Sequence, residues 1–262
     1  MNILFFGDIF GKPGRIAINR TLPEMIEEFD AEICIANGEN VAAGKGITEK
    51  TAGQLFDAGI DIFTSGNHIW DKLDSINYLA EEKRILKPLN YPEMSVGNSY
   101  FLKTGANGQK LAIVSLIGQA FLSIADSPYY ALKKLLPVLK EKTNKILIDF
   151  HAEATAEKRA LGFCFDGLVS AFIGTHTHIQ TADEEILPQG TAYITDVGMT
   201  GPHDSVIGVK KELILKKIRT GMPVKYEVAE SGIQINAVFI KLDDETGKAL
   251  TIKRIKRDFN DY

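Results

Sequence analysis

The chain contains little cysteine and no long apolar segment. Its two cysteines, Cys34 and Cys164, lie in apolar surroundings, form no C-x-x-C pair and have no secretory context, so we expect buried, reduced thiols rather than a disulfide. No stretch approaches the roughly 20 apolar residues of a membrane-spanning helix. The first residues also lack the basic lead and the apolar core of a signal peptide. These absences predict a cytoplasmic protein without a membrane segment.

An excess of basic charge is missing as well. The sequence has 30 Lys and Arg residues against 34 Asp and Glu residues, which gives a formal net charge of -4. Domains that bind duplex nucleic acid usually present a basic face, so duplex DNA or RNA is not an expected partner. The hydrophobic share of 45% predicts a sizeable core. Because no linker-like stretch divides the chain, we expect a single domain over residues 1–262.

Two common catalytic motifs are absent. The pairs Gly11-Lys12 and Gly44-Lys45 miss the spacing of a P-loop by one residue, and neither is followed by Ser or Thr. No Gly-x-Ser-x-Gly elbow occurs, and neither cysteine neighbours a histidine motif. The sequence therefore gives no support to a P-loop enzyme or to a Ser or Cys nucleophile.

Apolar strand-like runs alternate with helical patterns along most of the chain. Strands are predicted over residues 3–6, 33–36, 61–64, 111–116, 146–150 and 171–174. Helical patterns follow most of them, one opened by Thr48, and such crossovers imply parallel pairing. The last third shows strand patterns at 192–195, 234–240 and 250–252 with few helices between, which predicts a second, partly antiparallel sheet. The fold class is therefore α/β.

Four of the five histidines fall in three short segments, each directly after a strand-like run. The segments are Gly66-Asn67-His68, Asp149-Phe150-His151 and Gly174-Thr175-His176-Thr177-His178. Phe6-Gly7-Asp8 and Asn37-Gly38-Glu39-Asn40 occupy the same kind of position. In open α/β sheets, ligands bind beyond the carboxyl ends of the strands. Imidazole and oxygen ligands together favour a transition metal, so we expect a metal site at this edge.

Several of these residues also have a purely structural interpretation. Asp8 alone could be a turn residue, and an isolated His151 could be a core histidine. Asp149 lies two residues before His151 on the same strand face and could orient that ring. His203 has no comparable setting, and an ordinary surface or pocket-wall role is favoured for it by about two to one.

Taken in order, the five segments resemble the motifs of the calcineurin-like metallophosphoesterases. The usual first motif of that superfamily is Asp-x-His, whereas Phe10 fills the histidine position here, and Glu39 stands where Asp is typical. With this variation, the segments 6–15, 149–155 and 195–202 are similar to the bacterial YmdB family. The resemblance implies that Asn40 supplies the missing ligand.

The resemblance implies a fold, a metal site and a reaction. The implied fold is a four-layer α-β-β-α sandwich of two mixed sheets. The implied cofactors are two divalent transition-metal ions, iron or manganese first and zinc as a further option. One ion would be held by Asp8, Asn40 and His178, and the other by Asn67, His151 and His176, with Glu39 bridging both.

The implied substrates are 2′,3′-cyclic nucleotides, hydrolysed to 3′-nucleotides. A metal-bridging hydroxide would attack phosphorus in line, and His68 would protonate the leaving oxygen as the catalytic acid. Two other interpretations stay open. The same site could serve a phosphomonoesterase or a single-strand nuclease, or the protein could be a non-catalytic, metal-dependent signalling or scaffold protein. The oligomeric state is also open, a homo-oligomer included.

Overall fold

The computed structural model describes residues 1–122 and 124–259. The strands are β1 (Asn2–Phe6), β2 (Asp8–Ile9), β3 (Ile33–Asn37), β4 (Ile62–Thr64), β5 (Tyr100–Thr104), β6 (Lys110–Ile117), β7 (Lys145–His151), β8 (Ala171–Thr175), β9 (Glu185–Ile186), β10 (Ala192–Ile194), β11 (Met199–Pro202), β12 (Ile233–Leu242) and β13 (Ala249–Asp258). The helices are α1 (Gly11–Phe29), α2 (Glu49–Ala58), α3 (Ile76–Glu81), α4 (Pro128–Lys140), α5 (Thr155–Cys164) and α6 (Lys211–Thr220). The single domain expected over 1–262 stays a prediction, and its last three residues lie outside the described part.

The first sheet has seven strands, and its parallel part follows the predicted crossovers. The order is β2-β11-β12-β1-β3-β4, with β13 on the other edge of β12. Strands β1, β3 and β4 run parallel, because α1 and α2 return the chain between them. Thr48 begins α2 as predicted, since its hydroxyl accepts the backbone N–H of Thr51.

The second sheet has six strands in the order β5-β6-β7-β8-β10-β9. Its four central strands are parallel, and β5 and β9 pair antiparallel at the two edges. Both sheets are therefore mixed. In each, the parallel strands direct their carboxyl ends to one edge, where the predicted site residues follow.

Three apolar clusters separate four layers. In β1, Leu4 and Phe6 face α1 and α2, whereas Ile3 and Phe5 face the second sheet. A third cluster joins the outer face of the second sheet to α4 and α5. Fully burying one such Ile or Phe side chain stabilises the fold by about 1.5–3 kcal/mol. The predicted four-layer α-β-β-α sandwich of two mixed sheets is confirmed.

The prediction for the last third of the chain is wrong in its pairing. The expected separate, partly antiparallel sheet does not form: β10 extends the second sheet beside β8, while β12 and β13 join the first sheet. The physical reason is that β1 takes β12 as its second neighbour, from the far end of the chain. Strand patterns report burial but not the identity of the partner strand.

Five of the elements named above were not anticipated: β2, β5, β9, β11 and α6. No side chain of α6 is buried, so this helix contributes nothing to the three apolar clusters. The expected burial of both cysteines is confirmed for Cys34 and wrong for Cys164, which is exposed at the end of α5. Among the described residues, no helix combines the length and the apolar character needed to cross a membrane.

Candidate metal centre

Three loops and the ends of two strands bring the predicted ligands from both sheets to one edge of the sandwich. Asp8 begins β2 directly after β1, and the loop after β3 carries Glu39 and Asn40. The loop after β4 carries Asn67 and His68. From the second sheet, His151 ends β7, and the loop after β8 carries His176 and His178.

Three polar atoms surround the Nε2 atom of His151. Glu39 Oε1 lies 3.1 Å from it, Asn67 Oδ1 lies 3.2 Å from it, and His176 Nδ1 lies 2.9 Å from it. A ring nitrogen carries at most one proton, so these contacts cannot all be hydrogen bonds from His151. Separations of about 3 Å are those expected between ligand atoms that each lie about 2.1 Å from a shared metal ion. The group fits a metal ion better than a hydrogen-bond network.

A second group forms around Asp8. Its Oδ1 atom lies 3.8 Å from His178 Nε2 and 3.9 Å from His151 Nδ1. The Oδ1 atoms of Asp8 and Asn40 are both buried without a hydrogen-bond partner in the described part of the chain. The Asn40 amide nitrogen donates to the Gly44 carbonyl at 3.0 Å, which fixes the orientation of that amide. A buried oxygen without a partner is costly, and a cation would satisfy both of these atoms.

Each histidine ring is held through the nitrogen that does not face its group. His178 Nδ1 lies 3.0 Å from the Ile207 carbonyl, and His176 Nε2 lies 3.1 Å from Glu153 Oε2. His151 Nδ1 lies 3.0 Å from Thr175 Oγ1. Metal-binding histidines commonly donate their other N–H to a carboxylate or a carbonyl. These contacts leave His151 Nε2, His176 Nδ1 and His178 Nε2 as the candidate ligand atoms.

Asp149 contributes to this support through other residues. The Thr175 hydroxyl donates to Asp149 Oδ1 at 2.7 Å, so Thr175 stands between that carboxylate and His151. Asn37 donates from Nδ2 to Asp149 Oδ2 at 3.1 Å. The predicted orienting role of Asp149 therefore acts through Thr175, and neither Thr175 nor Asn37 was singled out in the sequence. Both are polar residues at the ends of otherwise apolar strands, which is the signal that could have identified them.

The electrostatics of the group favour added positive charge. Burial raises the pKa of Asp8 above its ordinary value. Burial alone would raise the pKa of Glu39, but the adjacent His151 ring outweighs it and lowers that pKa. Burial alone would lower the pKa of His151, but Glu39 outweighs it and raises that pKa. Burial lowers the pKa of His176 to about 3, so its ring stays neutral and able to bind a metal. A proton on His151 thus compensates the negative charge of Glu39, and a bound metal ion would take the place of that proton.

His68 lies beside these groups with its ring engaged elsewhere. Its backbone N–H donates to Glu39 Oε2 at 3.0 Å, and its Nδ1 atom lies 2.9 Å from Asp71 Oδ2. The side chain is 25% exposed. The ring is therefore adjacent to the ligand set, accessible from solvent and held by a carboxylate.

A family model described as "YmdB-like protein" matches residues 4–255. The chain belongs to the YmdB-like family. A relative from Bacillus subtilis, described as a 2′,3′-cyclic-nucleotide 2′-phosphodiesterase, is 45% identical over 256 residues, which cover 97% of this chain and 96% of the relative.

Two solved structures are similar to this YmdB-like protein over nearly its whole length. A hypothetical protein from Thermus thermophilus superimposes with a TM-score of 0.92 at 37% identity, covering 98% of this chain and 99% of the other. A protein from Mycoplasma pneumoniae, described as a novel phosphatase, superimposes with a TM-score of 0.93 at 34% identity, covering 98% and 93%.

In this YmdB-like protein, Phe10 packs beside His178. Its ring meets the His178 ring edge-on, with the centroids 5.5 Å apart. Gly208 allows this approach, because a Cβ there would lie 2.6 Å from the Phe10 ring. Phe10 therefore supports His178 by packing and offers no ligand atom.

His203 has contacts of a different kind. Its Nε2 atom lies 2.9 Å from the Met199 carbonyl and 3.3 Å from Asn236 Nδ2. Burial lowers the pKa of His203 below its ordinary value. The half-buried ring is held against β11 and β12, and the surface or pocket-wall role favoured for it stays a prediction.

Proposed function

We propose that this protein is a metal-dependent phosphodiesterase that hydrolyses 2′,3′-cyclic nucleotides to 3′-nucleotides. The observation that carries the proposal is the convergence of Glu39, Asn67 and His176 on His151 Nε2. The activity named for the Bacillus subtilis relative, which shares 45% identity, supports the choice of substrate. A cytoplasmic location stays a prediction.

The residues that would hold two divalent ions fall into two sets. Asn67, His151 and His176 form one set, and their mutual distances support it. Asp8, Asn40 and His178 form the other, supported by the two buried oxygens that lack a partner. Glu39 would bridge the sets. The identities of the ions, iron or manganese with zinc as a further option, rest on the family resemblance.

The balance of charge in this centre suits an anionic substrate. When bound, two divalent ions supply an activated water molecule and positive charge beside the phosphate. Among the ligands only Asp8 and Glu39 are carboxylates, while Asn40 and Asn67 contribute neutral oxygens. The protein therefore leaves part of the cationic charge uncompensated, which favours a phosphodiester.

His68 is proposed as the acid that protonates the leaving oxygen. Its ring is one residue from Asn67, accessible from solvent, and held through Nδ1 by Asp71. That contact leaves Nε2 to carry the proton toward the substrate. A positioned general acid contributes about 10² to 10⁴ in rate. Cleavage of the 2′ ester bond, which leaves a 3′-phosphate, rests on the family resemblance.

The direct experiment compares ester classes on protein of known metal content. Purified protein is stripped with a chelator, reloaded with Mn²⁺, and incubated with 2′,3′-cyclic nucleotides, linear dinucleotides and nucleoside monophosphates. We expect Mn²⁺-dependent conversion of the cyclic substrates to 3′-nucleotides, identified by chromatography against both isomers. Preferred hydrolysis of monophosphates would indicate a phosphomonoesterase instead. Binding of cyclic nucleotides without turnover would favour the signalling alternative.

A further inference from the structure

The loop that carries His176 and His178 has an unusual backbone. Both histidines have positive φ angles, +104° and +66°, in the left-handed region that residues with a Cβ rarely adopt. A single residue, Thr177, separates them. Two residues of this kind, only one residue apart, persist only where surrounding contacts fix their backbone conformation. The contacts of Thr177 therefore bear on the positions of both rings.

Asp196 receives the donors of Thr177. Its Oδ2 atom accepts the Thr177 backbone N–H at 3.0 Å and the Thr177 hydroxyl at 2.8 Å. The same oxygen accepts Lys158 Nζ at 2.8 Å. Its Oδ1 atom accepts the Gly198 N–H at 2.8 Å. One carboxylate thus fixes the residue between the two histidines and is itself fixed from two other directions.

Lys158 holds the same loop from its other end. Its Nζ atom donates to the Thr175 carbonyl at 2.7 Å, immediately before His176. Lys158 belongs to α5 and Asp196 follows β10, so the pair joins a helix and a strand of the second sheet beneath the loop. The loop is therefore tied on both sides of His176 by one ion pair.

The burial of this pair indicates a purpose other than stability. The side chains of Lys158 and Asp196 are 1% and 0% exposed. Removing two charges from water costs about as much as their attraction returns, and well-packed apolar residues often serve a fold equally well. A buried ion pair does, however, present several donors and acceptors in fixed directions. That is what a strained ligand loop requires.

We propose that the Lys158–Asp196 ion pair is a positioning device for the two histidines, acting through Thr177 and the Thr175 carbonyl. It contacts neither the ions nor the substrate, and it sets the backbone from which both rings reach their ligand positions. Because His176 and His178 belong to different sets, loss of the pair weakens both ion sites together. The inference rests on the metal centre of the proposed function.

Four variants test it. Lys158→Met removes the charge at similar length, and Thr177→Val removes only the hydroxyl donor at equal size. Thr177→Ser keeps that donor and is the conservative rescue. Lys103→Met is the control for loss of an ion pair away from the site. Lys103 Nζ pairs with Asp61 Oδ1 at 2.6 Å just before β4 begins, at the opposite end of that strand from Asn67.

The readouts are Mn²⁺ binding by calorimetry, the electron paramagnetic resonance spectrum of the bound pair, and thermal unfolding of the metal-free protein. We expect Lys158→Met to weaken both Mn²⁺ sites by about 10- to 100-fold, the usual range for residues that support ligands. Thr177→Val should weaken both sites and alter the spectrum, while Thr177→Ser and Lys103→Met should match the wild type in both.

Wild-type Mn²⁺ dissociation constants in folded Lys158→Met or Thr177→Val would overturn this inference and leave the proposed metal centre standing. If Lys158→Met does not fold, Thr177→Val decides. A wild-type protein that binds no Mn²⁺ would overturn the proposed metal centre and this inference with it.

Discussion

His68 Nδ1 lies 2.9 Å from Asp71 Oδ2, so the proposed catalytic acid is held by a carboxylate three residues along the chain. The contact leaves His68 Nε2 directed away from Asp71, and the backbone N–H of His68 anchors it to Glu39. The acid is thereby coupled in position to a proposed ligand without being a ligand itself. This arrangement makes catalysis and metal binding separable by substitution.

The first prediction concerns that separation. We expect His68→Ala to lower kcat by about 10² to 10⁴ while two ions stay bound, because only proton donation is lost. Asp71→Asn should lower kcat less, since the ring stays but loses its charged partner. Elemental analysis and steady-state kinetics on the same samples measure both. Full turnover by His68→Ala would refute the role of His68 as acid.

A second prediction concerns the ligands. His178→Ala or Glu39→Ala should reduce the metal content, because each change removes a ligand atom rather than a supporting contact. His178→Ala should retain the ion of the Asn67, His151 and His176 set, whereas Glu39→Ala should affect both ions. Metal stoichiometry after gel filtration distinguishes the two. Two tightly bound ions in either variant would show that the side chain is not a ligand.

Gly66 provides a steric test of the same centre. A Cβ at Gly66 would lie 2.0 Å from the His151 ring, so Gly66→Ala must displace this proposed ligand. We expect loss of metal binding and of activity. The control is Gly53→Ala in α2, where a Cβ meets nothing within 4 Å.

Because alanine favours helix more than glycine does, Gly53→Ala should raise the free energy of unfolding by about 0.5–1 kcal/mol with unchanged turnover. Equal behaviour of the two variants would contradict the close approach of Gly66 to His151.

The free energy of unfolding is expected to depend on pH through His203. Burial holds its pKa below the ordinary value of 6.5, so the unfolded chain binds more protons than the folded protein as the pH falls through that value. The folded protein therefore keeps its full stability while His203 is neutral, at pH values above about 6.5, and loses stability on acidification below that value. The wild type should lose more unfolding free energy between pH 8 and pH 5 than His203→Gln, measured by urea denaturation. Parallel losses in the two proteins would show that His203 is not held in its neutral form.

The sequence predicted the parts of the fold that depend on local pattern. Strands β1, β3 and β4, the helices between them and the ligand segments at strand ends all follow from apolar periodicity and from the position of polar residues. It could not predict that β12 pairs with β1, because a strand's pattern is the same whichever neighbour it has. The wrong sheet assignment in the last third arose from this.

The supporting residues of the site were missed for a related reason. Glu153, Lys158 and Asp196 act through contacts between different elements. Glu153 and Asp196 lie in segments that resemble the family, but the local pattern assigns them no role, and nothing in the local sequence of Lys158 distinguishes it from a surface charge. Lys158 in particular lies in a helical pattern where a lysine is ordinarily solvent-exposed. Only the folded chain shows that its ammonium group is buried beneath the His176 loop.

The central claim is that the chain holds two metal ions between the two ligand sets. An anomalous difference map from crystals grown with Mn²⁺ tests it most directly. We predict two peaks, one bonded to Asn67, His151 and His176 and the other to Asp8, Asn40 and His178, with Glu39 in contact with both. A map with no peak among these side chains, or with Mn²⁺ bound elsewhere, would contradict the account.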